Sequence, residues 1–261
     1  MMTSKDVELK ALASFAKKRD SALEAMDRLP VHNVSPCIMT LEFGEVWKMY
    51  NRRVIINLET LRRHIASLTA WQSVIKHFQN DSILDVLLVD YIQPLVFELI
   101  DIPQSINNQI QQAIVRLSIL CKDSCLNWKN AAEMADKLRN NVYSIAKKEA
   151  FSCTEWDKLN ESLETLYNSA EAEFLRKLHG DKFHDIISPP FVSFPKPVQT
   201  RIGTGSYCFG YVWDTLNIDA VIDAASAQLQ NAHNSYENFW NYSAKLERIC
   251  NENAGGVYID D

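Results

Sequence analysis

Glycine and proline are scarce in this chain, with 7 and 8 residues respectively among 261. These two residues interrupt helices more strongly than any others, so their scarcity favours long helices. More than half of them gather between residues 180 and 213: Gly180, Gly203, Gly205, Gly210, Pro189, Pro190, Pro195 and Pro197. The sequence therefore predicts one long non-helical insert, residues 180–213, in an otherwise helical chain.

A long apolar run is also missing. The richest apolar stretch, residues 83–102, is interrupted by Asp85, Asp90, Pro94, Glu98 and Asp101. A helix that spans a bilayer needs roughly 20 consecutive apolar residues, so no transmembrane helix is predicted. The N-terminus, MMTSKDVELK, contains no apolar core of a secretory signal. We therefore expect a soluble, cytoplasmic protein, with release from the cell by a non-signal route left open.

Positive charge is not in excess, because 27 Lys and Arg residues face 33 Asp and Glu residues, for a formal net charge of −6. Binding to a phosphate backbone is driven by a basic surface, so nucleic acid is disfavoured as the main partner. The 6 cysteines are spread along a chain with ample core, unlike those of a small secreted disulfide scaffold. This distribution favours reduced cysteines in a cytoplasmic setting.

Apolar residues recur at three- and four-residue spacing over most of the chain, which is typical of helices that bury one face. The clearest stripe consists of Trp47, Tyr50, Val54, Leu58, Leu61, Ile65, Leu68 and Ile75. Together with capping and breaking residues, the spacing predicts helices at about 4–29, 41–79, 82–101, 104–149, 154–179 and 214–252. We expect a kink at Pro94 and a helix end at Gly180.

The expected fold class is all-α, an elongated antiparallel bundle of long amphipathic helices with one apolar insert, or a small hairpin, near residues 181–213. A 39-residue helix is about 58 Å long, whereas a compact chain of this length has a diameter of roughly 47 Å. Residues 1–261 are predicted to form a single domain. The last helix carries a heptad-like seam, which is typical of coiled-coil packing.

The densest cluster of metal-ligating side chains lies in the sequence HGDKFHD, with His179, Asp181, His184 and Asp185. Imidazoles and carboxylates at such spacing can bind zinc or non-haem iron where the chain curls. The alternative interpretation is a helix C-terminus, where His179 meets the negative end of the helix dipole and the aspartates face solvent. That second interpretation is favoured, and no cofactor is predicted.

Other motifs give weaker indications of chemistry. Cys121 and Cys125 share a helix face, but a tetrahedral metal site needs two further ligands, so packing in the core is favoured. The glycine-rich GTGSYCFG, residues 203–210, matches no phosphate-binding loop and is interpreted as a turn or hairpin. His233 lies singly in a helix and is interpreted as an ordinary packing or surface residue. Without a recognisable set of nucleophile, base and oxyanion donor, the sequence leans away from an enzyme.

The insert is rich in aromatic residues and poor in charge. The candidate residues for contact with a partner or a membrane are Phe191, Phe194, Tyr207, Phe209, Tyr211 and Trp213. Because an exposed apolar loop is costly, the insert either folds back onto the helices, which is favoured, or is held for a partner or membrane.

A long helical bundle that carries such an insert between two helices resembles, in plan, the water-soluble α-helical pore-forming toxins. The resemblance is architectural and covers no residue motif. It implies membrane permeabilisation through the insert as an alternative function. The leading hypothesis is a non-enzymatic protein that acts through its long helices on a protein partner or on a second copy of itself. A metal-dependent enzyme that uses His179 and His184 is the remaining alternative.

Overall fold

The computed structural model describes residues 4–27, 30–32, 41–78, 86–122, 142–183, 194–202, 206–214 and 217–253. These ranges contain seven α-helices, one π-helical segment and one two-stranded hairpin. The elements are α1 (Ser4–Ala25), α2 (Leu41–Phe78), the π-helical segment (Leu87–Ile92), α3 (Gln93–Lys122), α4 (Val142–Glu149), α5 (Thr154–Asn168), α6 (Ala170–Phe183), β1 (Phe194–Ile202), β2 (Ser206–Asp214) and α7 (Ile218–Asn253). The predicted all-α fold class is confirmed, while the elongated bundle stays a prediction.

The chain divides into two compact units. The first comprises Met1–Asp27, Arg62–Ile100 and Phe174–Ser226, and the second comprises Arg28–Leu61, Asp101–Glu173 and Ala227–Asp261. Four of the five divisions fall within a helix, so that α2, α3, α6 and α7 contribute residues to both units. The single domain expected for the whole chain stays a prediction.

In the first unit, α1 runs antiparallel to the end of α2. The ring of Phe15 stacks on that of Trp71 with centroids 4.4 Å apart. Near the C-terminal end of α1, the Arg62 guanidinium donates to the carbonyl oxygens of Leu23 and Met26, each at 3.2 Å. Trp71 is only 2% exposed, so its ring is part of the core of this unit.

The predicted apolar stripe of α2 is confirmed. Trp47, Tyr50, Val54, Leu58, Leu61, Ile65 and Leu68 are all buried, and Ile75 is half-buried. In the second unit, the start of α2 packs antiparallel to α3. Tyr50 donates to Gln112 Oε1 at 3.4 Å, and Asn57 Nδ2 donates to Ser105 Oγ at 3.1 Å.

The helix predicted to end near residue 101 instead continues through Pro103 as part of α3. Proline has no N–H, so this position lacks one helical hydrogen bond. Burial of Pro103 itself and of Ile106 offsets that loss. The π-helical segment lies just before Pro94, a proline that also cannot donate to a carbonyl four residues earlier. The kink expected at Pro94 stays a prediction.

The helix predicted for residues 154–179 is split at Ser169, which has an extended backbone with φ −63° and ψ 159°. Its hydroxyl oxygen accepts the N–H of Ala172 at 3.2 Å and so caps the start of α6. The break shifts the apolar face. Ala170, four residues after buried Leu166, is exposed, while Ala172 and Leu175 are buried.

Two other helix ends differ from the expectation. α1 ends at Ala25 rather than at residue 29, and α6 passes through Gly180 to Phe183. Glycine inside a helix costs roughly 1 kcal/mol relative to alanine, so Gly180 weakens this helix without ending it. The predicted continuity from residue 104 to 149 lies partly outside the described residues, since α3 is described to Lys122 and α4 begins at Val142.

Cys121 is buried as expected, but it is not reduced. A disulfide joins it to Cys250, with the two Cα atoms 5.0 Å apart. The partners are 129 residues apart in sequence, a separation that no local pattern indicates. They meet because the end of α3 and the end of α7 lie together in the second unit. Cys125 lies outside the described residues.

The insert contains the antiparallel hairpin of β1 and β2. Its register pairs Phe194 with Asp214 at one end and Ile202 with Ser206 at the other. The glycine-rich segment GTGSYCFG therefore includes the start of β2, in keeping with its interpretation as a turn or hairpin. Within the described ranges, every helix falls short of the length and apolarity that a bilayer crossing requires.

Candidate functional site

A polar groove lies between α5 and α7 in the second unit. The two helices run antiparallel, because the ring of Trp156 meets that of Tyr242 at 5.6 Å and Asn238 Nδ2 donates to the Lys158 carbonyl at 3.5 Å. On its apolar face, α5 buries Trp156, Leu159, Leu163 and Leu166. The residues on the adjoining face are left to form one wall of the groove.

The groove has a volume of about 420 Å³ and is lined by polar side chains: Lys158, Glu161, Ser162, Thr165, Asn231, Asn234, Glu237 and Asn238. On the α5 wall, the hydroxyl of Ser162 donates to the Leu159 carbonyl and that of Thr165 donates to the Glu161 carbonyl. Their hydrogens are thus used within the helix. The oxygen lone pairs stay free to accept from a ligand.

The α7 wall carries a row of amide side chains. Asn231, Asn234 and Asn238 follow one another at three- and four-residue spacing, which places them on one helix face. Asn234 Oδ1 accepts a hydrogen bond from Gln230 Nε2 at 3.2 Å. The NH₂ group of Asn234 takes no part in this bond. Each amide offers both donors and an acceptor.

Glu237 links the groove to residues 30–32. Its Oε2 lies 2.9 Å from His32 Nε2, and the His32 ring stacks on Trp240 with centroids 4.2 Å apart. His233 Nε2 donates to the Pro30 carbonyl at 3.0 Å and lies 3.6 Å from Glu237 Oε1. That second distance is too long for a hydrogen bond. Oε1 is buried and has no hydrogen-bond partner among the described residues.

The backbone of His32 is held as firmly as its ring. Its N–H donates to the Tyr236 hydroxyl oxygen at 2.8 Å, and its carbonyl accepts from Asn51 Nδ2 at 2.8 Å. Burial raises the pKa of Tyr236 to about 12, so the phenol stays neutral over the physiological range. The His32 contacts fix residues 30–32 against α7 beside the groove.

The predicted metal ligands are not brought into a described site. His179 and Asp181 lie in α6, whose backbone alone is described there, and His184 and Asp185 lie outside the described residues. Among the side chains that the structure describes, no group of three or more histidines, cysteines or acidic residues is placed to hold a metal ion.

The predicted aromatic contact residues fall mainly on one strand. Tyr207, Phe209, Tyr211 and Trp213 occupy alternate positions of β2. Phe194 begins β1 and pairs with Asp214. Phe191 lies outside the described residues.

No pattern in the sequence indicated the groove or the contacts of His32. His233 and Glu237 stand four residues apart in a predicted helix, and this spacing was the available signal that they share a face. His32 lies in a linker with no periodicity, so no pattern indicated its partner more than 200 residues away. Amide side chains are common on solvated helix faces, which hid the row on α7.

Comparison of the chain with protein-family models, with curated proteins and with solved structures gave no match. Its function is therefore inferred from its own residues.

Proposed function

We propose that this protein is a non-enzymatic binding protein that takes a segment of a polypeptide partner along the groove between α5 and α7. One observation carries the proposal: all eight lining side chains are polar, and three of them form the amide row Asn231, Asn234 and Asn238. A peptide bond presents one N–H donor and one C=O acceptor. Amide side chains present the same two groups, so the row matches the main chain of an extended segment.

The size and composition of the groove support a main-chain ligand. From Asn231 to Asn238, α7 rises about 10 Å, which is the length of roughly three extended residues. Pockets for small organic ligands are lined mainly by apolar and aromatic side chains. The groove instead offers amides, hydroxyl lone pairs and the charged groups of Lys158 and Glu161.

A peptide library tests this proposal. The purified chain is used to select binding peptides from a random library, and the affinities of the selected peptides are measured by fluorescence anisotropy. The variant Asn234→Arg fills the groove with a long side chain at an exposed helix position, where substitution disturbs the fold little. We expect at least a tenfold loss of affinity in this variant and unchanged affinity in Arg52→Gln, an exposed control on α2.

The proposal is rejected when the selected peptides bind Asn234→Arg as tightly as the unmodified chain, or when no peptide is enriched. Sedimentation velocity of the same variants tests whether the partner is a second copy of this chain. A dimer that dissociates in Asn234→Arg identifies the partner as a second copy of this chain.

Membrane permeabilisation through the insert is the second candidate function. It is favoured by the alternate placement of Tyr207, Phe209, Tyr211 and Trp213 in β2, since aromatic residues suit the bilayer interface. Its test is dye release from liposomes by the purified chain and by a variant in which a short polar linker replaces residues 186–213. Release that requires those residues supports the membrane function, and release that survives their replacement excludes it.

A further inference from the structure

Tyr50 lies between two arginines in the second unit. The tyrosine is 1% exposed, and its ring centroid is 5.8 Å from the guanidinium carbon of Arg53 and 5.5 Å from that of Arg116. Arg53 stands three residues after Tyr50 on α2, whereas Arg116 comes from α3. Two helices therefore bring two positive charges to one aromatic ring.

These cation–π contacts do not themselves use the N–H donors of the two guanidinium groups. Each guanidinium has five N–H donors in a rigid fork, and contact with a ring occupies none of them in a hydrogen bond to oxygen. Arg116 Nε is buried and makes no hydrogen bond with any described residue. An unpaired buried donor of a charged group is costly, so the site is incomplete as it stands.

Arg53 lines an amide-rich groove between α2 and α3, and Arg116 lies four residues after Gln112 of the same groove. The groove has a volume of about 540 Å³ and is lined by Arg53, Asp101, Gln104, Ser105, Asn108, Gln109 and Gln112. The Tyr50 hydroxyl donates to Gln112 Oε1 at 3.4 Å, which joins the ring to this wall. Neutral amides and a hydroxyl supply further hydrogen bonds to a polar ligand without adding charge.

The one acidic residue among those that line the groove, Asp101, stands away from Arg116. Asp101 precedes Arg116 by 15 residues on α3, a rise of roughly 22 Å along the helix. At that distance its charge is largely screened at physiological ionic strength. Asp101 therefore does little to offset the charge of Arg116.

We propose that Arg53 and Arg116 form a binding site for a small polar ligand that carries a phosphate or carboxylate group. The guanidinium fork matches both oxyanions in a bidentate geometry. Buried Tyr50 holds the two side chains at fixed positions, and the amides of the groove receive the rest of the ligand. This site shares no residue with the groove between α5 and α7, so the two proposals stand or fall separately.

Isothermal titration calorimetry on the full chain tests the site, with inorganic phosphate and citrate as separate probes and chloride used to keep the ionic strength constant. The variants are Arg53→Gln and Arg116→Gln. Arg52→Gln is the matched control, because it removes the same charge one residue away on α2 and Arg52 makes no contact with the Tyr50 ring among the described cation–π pairs.

We expect saturable binding of at least one probe and at least a tenfold weaker affinity in Arg53→Gln and Arg116→Gln, because each loses a charge-assisted pair of hydrogen bonds. Arg52→Gln should stay within about twofold of the unmodified chain. Binding of phosphate alone or of citrate alone identifies the oxyanion. Arg53 is exposed, so its variant stays folded and informative even when Arg116→Gln does not fold.

Two results overturn the proposal. The first is an equal loss of affinity in Arg52→Gln, which shows that the probes respond to diffuse surface charge. The second is the absence of saturable binding for either probe with a Kd tighter than about 10 mM, which corresponds to a free energy too small for a built site.

Discussion

Two buried tyrosines on α7 each fix a segment from elsewhere in the second unit. Tyr236 accepts the N–H of His32 at 2.8 Å, and Tyr242 accepts the N–H of Phe151 at 3.0 Å. Both phenols are fully buried. Burial raises the pKa of each to about 12, because a phenolate is poorly solvated in the core.

These pKa shifts predict alkaline destabilisation. The unfolded chain releases tyrosine protons near pH 10, so the stability that the neutral phenols contribute is complete below that pH and is lost as the pH rises towards about 12. Tyr242→Phe should reduce this alkaline loss. At about pH 8 it should also lower the free energy of unfolding by about 1–3 kcal/mol, since it removes the hydroxyl oxygen that accepts the Phe151 N–H.

Urea unfolding at a series of pH values measures both effects. The control is Tyr167→Phe, at a tyrosine that is 47% exposed. An alkaline loss that is as large in Tyr242→Phe as in the unmodified chain contradicts the assignment of the shift to this residue.

At the scale of elements, the sequence predicted helices where one apolar face is continuous and failed where a single residue changes the backbone. The stripe of α2 was predictable because seven of its eight residues are buried at regular spacing. The break at Ser169 was not, because it depends on a hydroxyl cap and on buried Gln228, which lies 59 residues away in sequence and 2.6 Å away in space. Passage through Pro103 likewise depends on burial by other helices.

The candidate sites show the same limit. The i, i+4 pair of His233 and Glu237 was visible in the sequence, but the groove requires α5 and α7 to lie side by side. The contact between Arg116 and Tyr50 joins α3 to α2 through two residues that are 66 positions apart in sequence. Such contacts are set by packing, which periodicity does not encode.

The disulfide between α3 and α7 gives a prediction at this scale. Cys250→Ala should lower the free energy of unfolding by about 2–5 kcal/mol. The disulfide closes a long loop that restricts the unfolded chain, and the variant removes this restriction. Cys153→Ala is the matched control, since Cys153 is a half-buried free cysteine. Chemical unfolding with and without dithiothreitol is the measurement. A reductant effect that persists in Cys250→Ala refutes a stabilising role for this bond.

At the scale of the whole molecule, the insert and the peptide groove belong to different units. The hairpin lies within Phe174–Ser226 of the first unit, while the residues that line the groove lie within Asp101–Glu173 and Ala227–Asp261 of the second. The proposed binding of a polypeptide segment therefore does not require the insert.

Replacement of residues 186–213 by a short polar linker should leave the peptide affinity within about twofold of that of the unmodified chain. A twofold change in affinity is a binding free energy well below the roughly 1.4 kcal/mol of a tenfold change. Fluorescence anisotropy with a peptide selected on the unmodified chain measures this affinity, and circular dichroism confirms that the helices persist. A folded variant that no longer binds the peptide shows that the insert takes part in recognition.

The bond between Cys121 and Cys250 also makes a covalent ring of about half of the chain, since its ends are 129 residues apart in a chain of 261. A protease that cuts once anywhere inside this ring opens it without releasing a fragment. The nicked protein keeps its full mass until the sulfur–sulfur bond is reduced, and only then separates into two pieces. The ring encloses α4, α5, α6 and the whole hairpin, so a single cleavage in any of them is silent on a non-reducing gel.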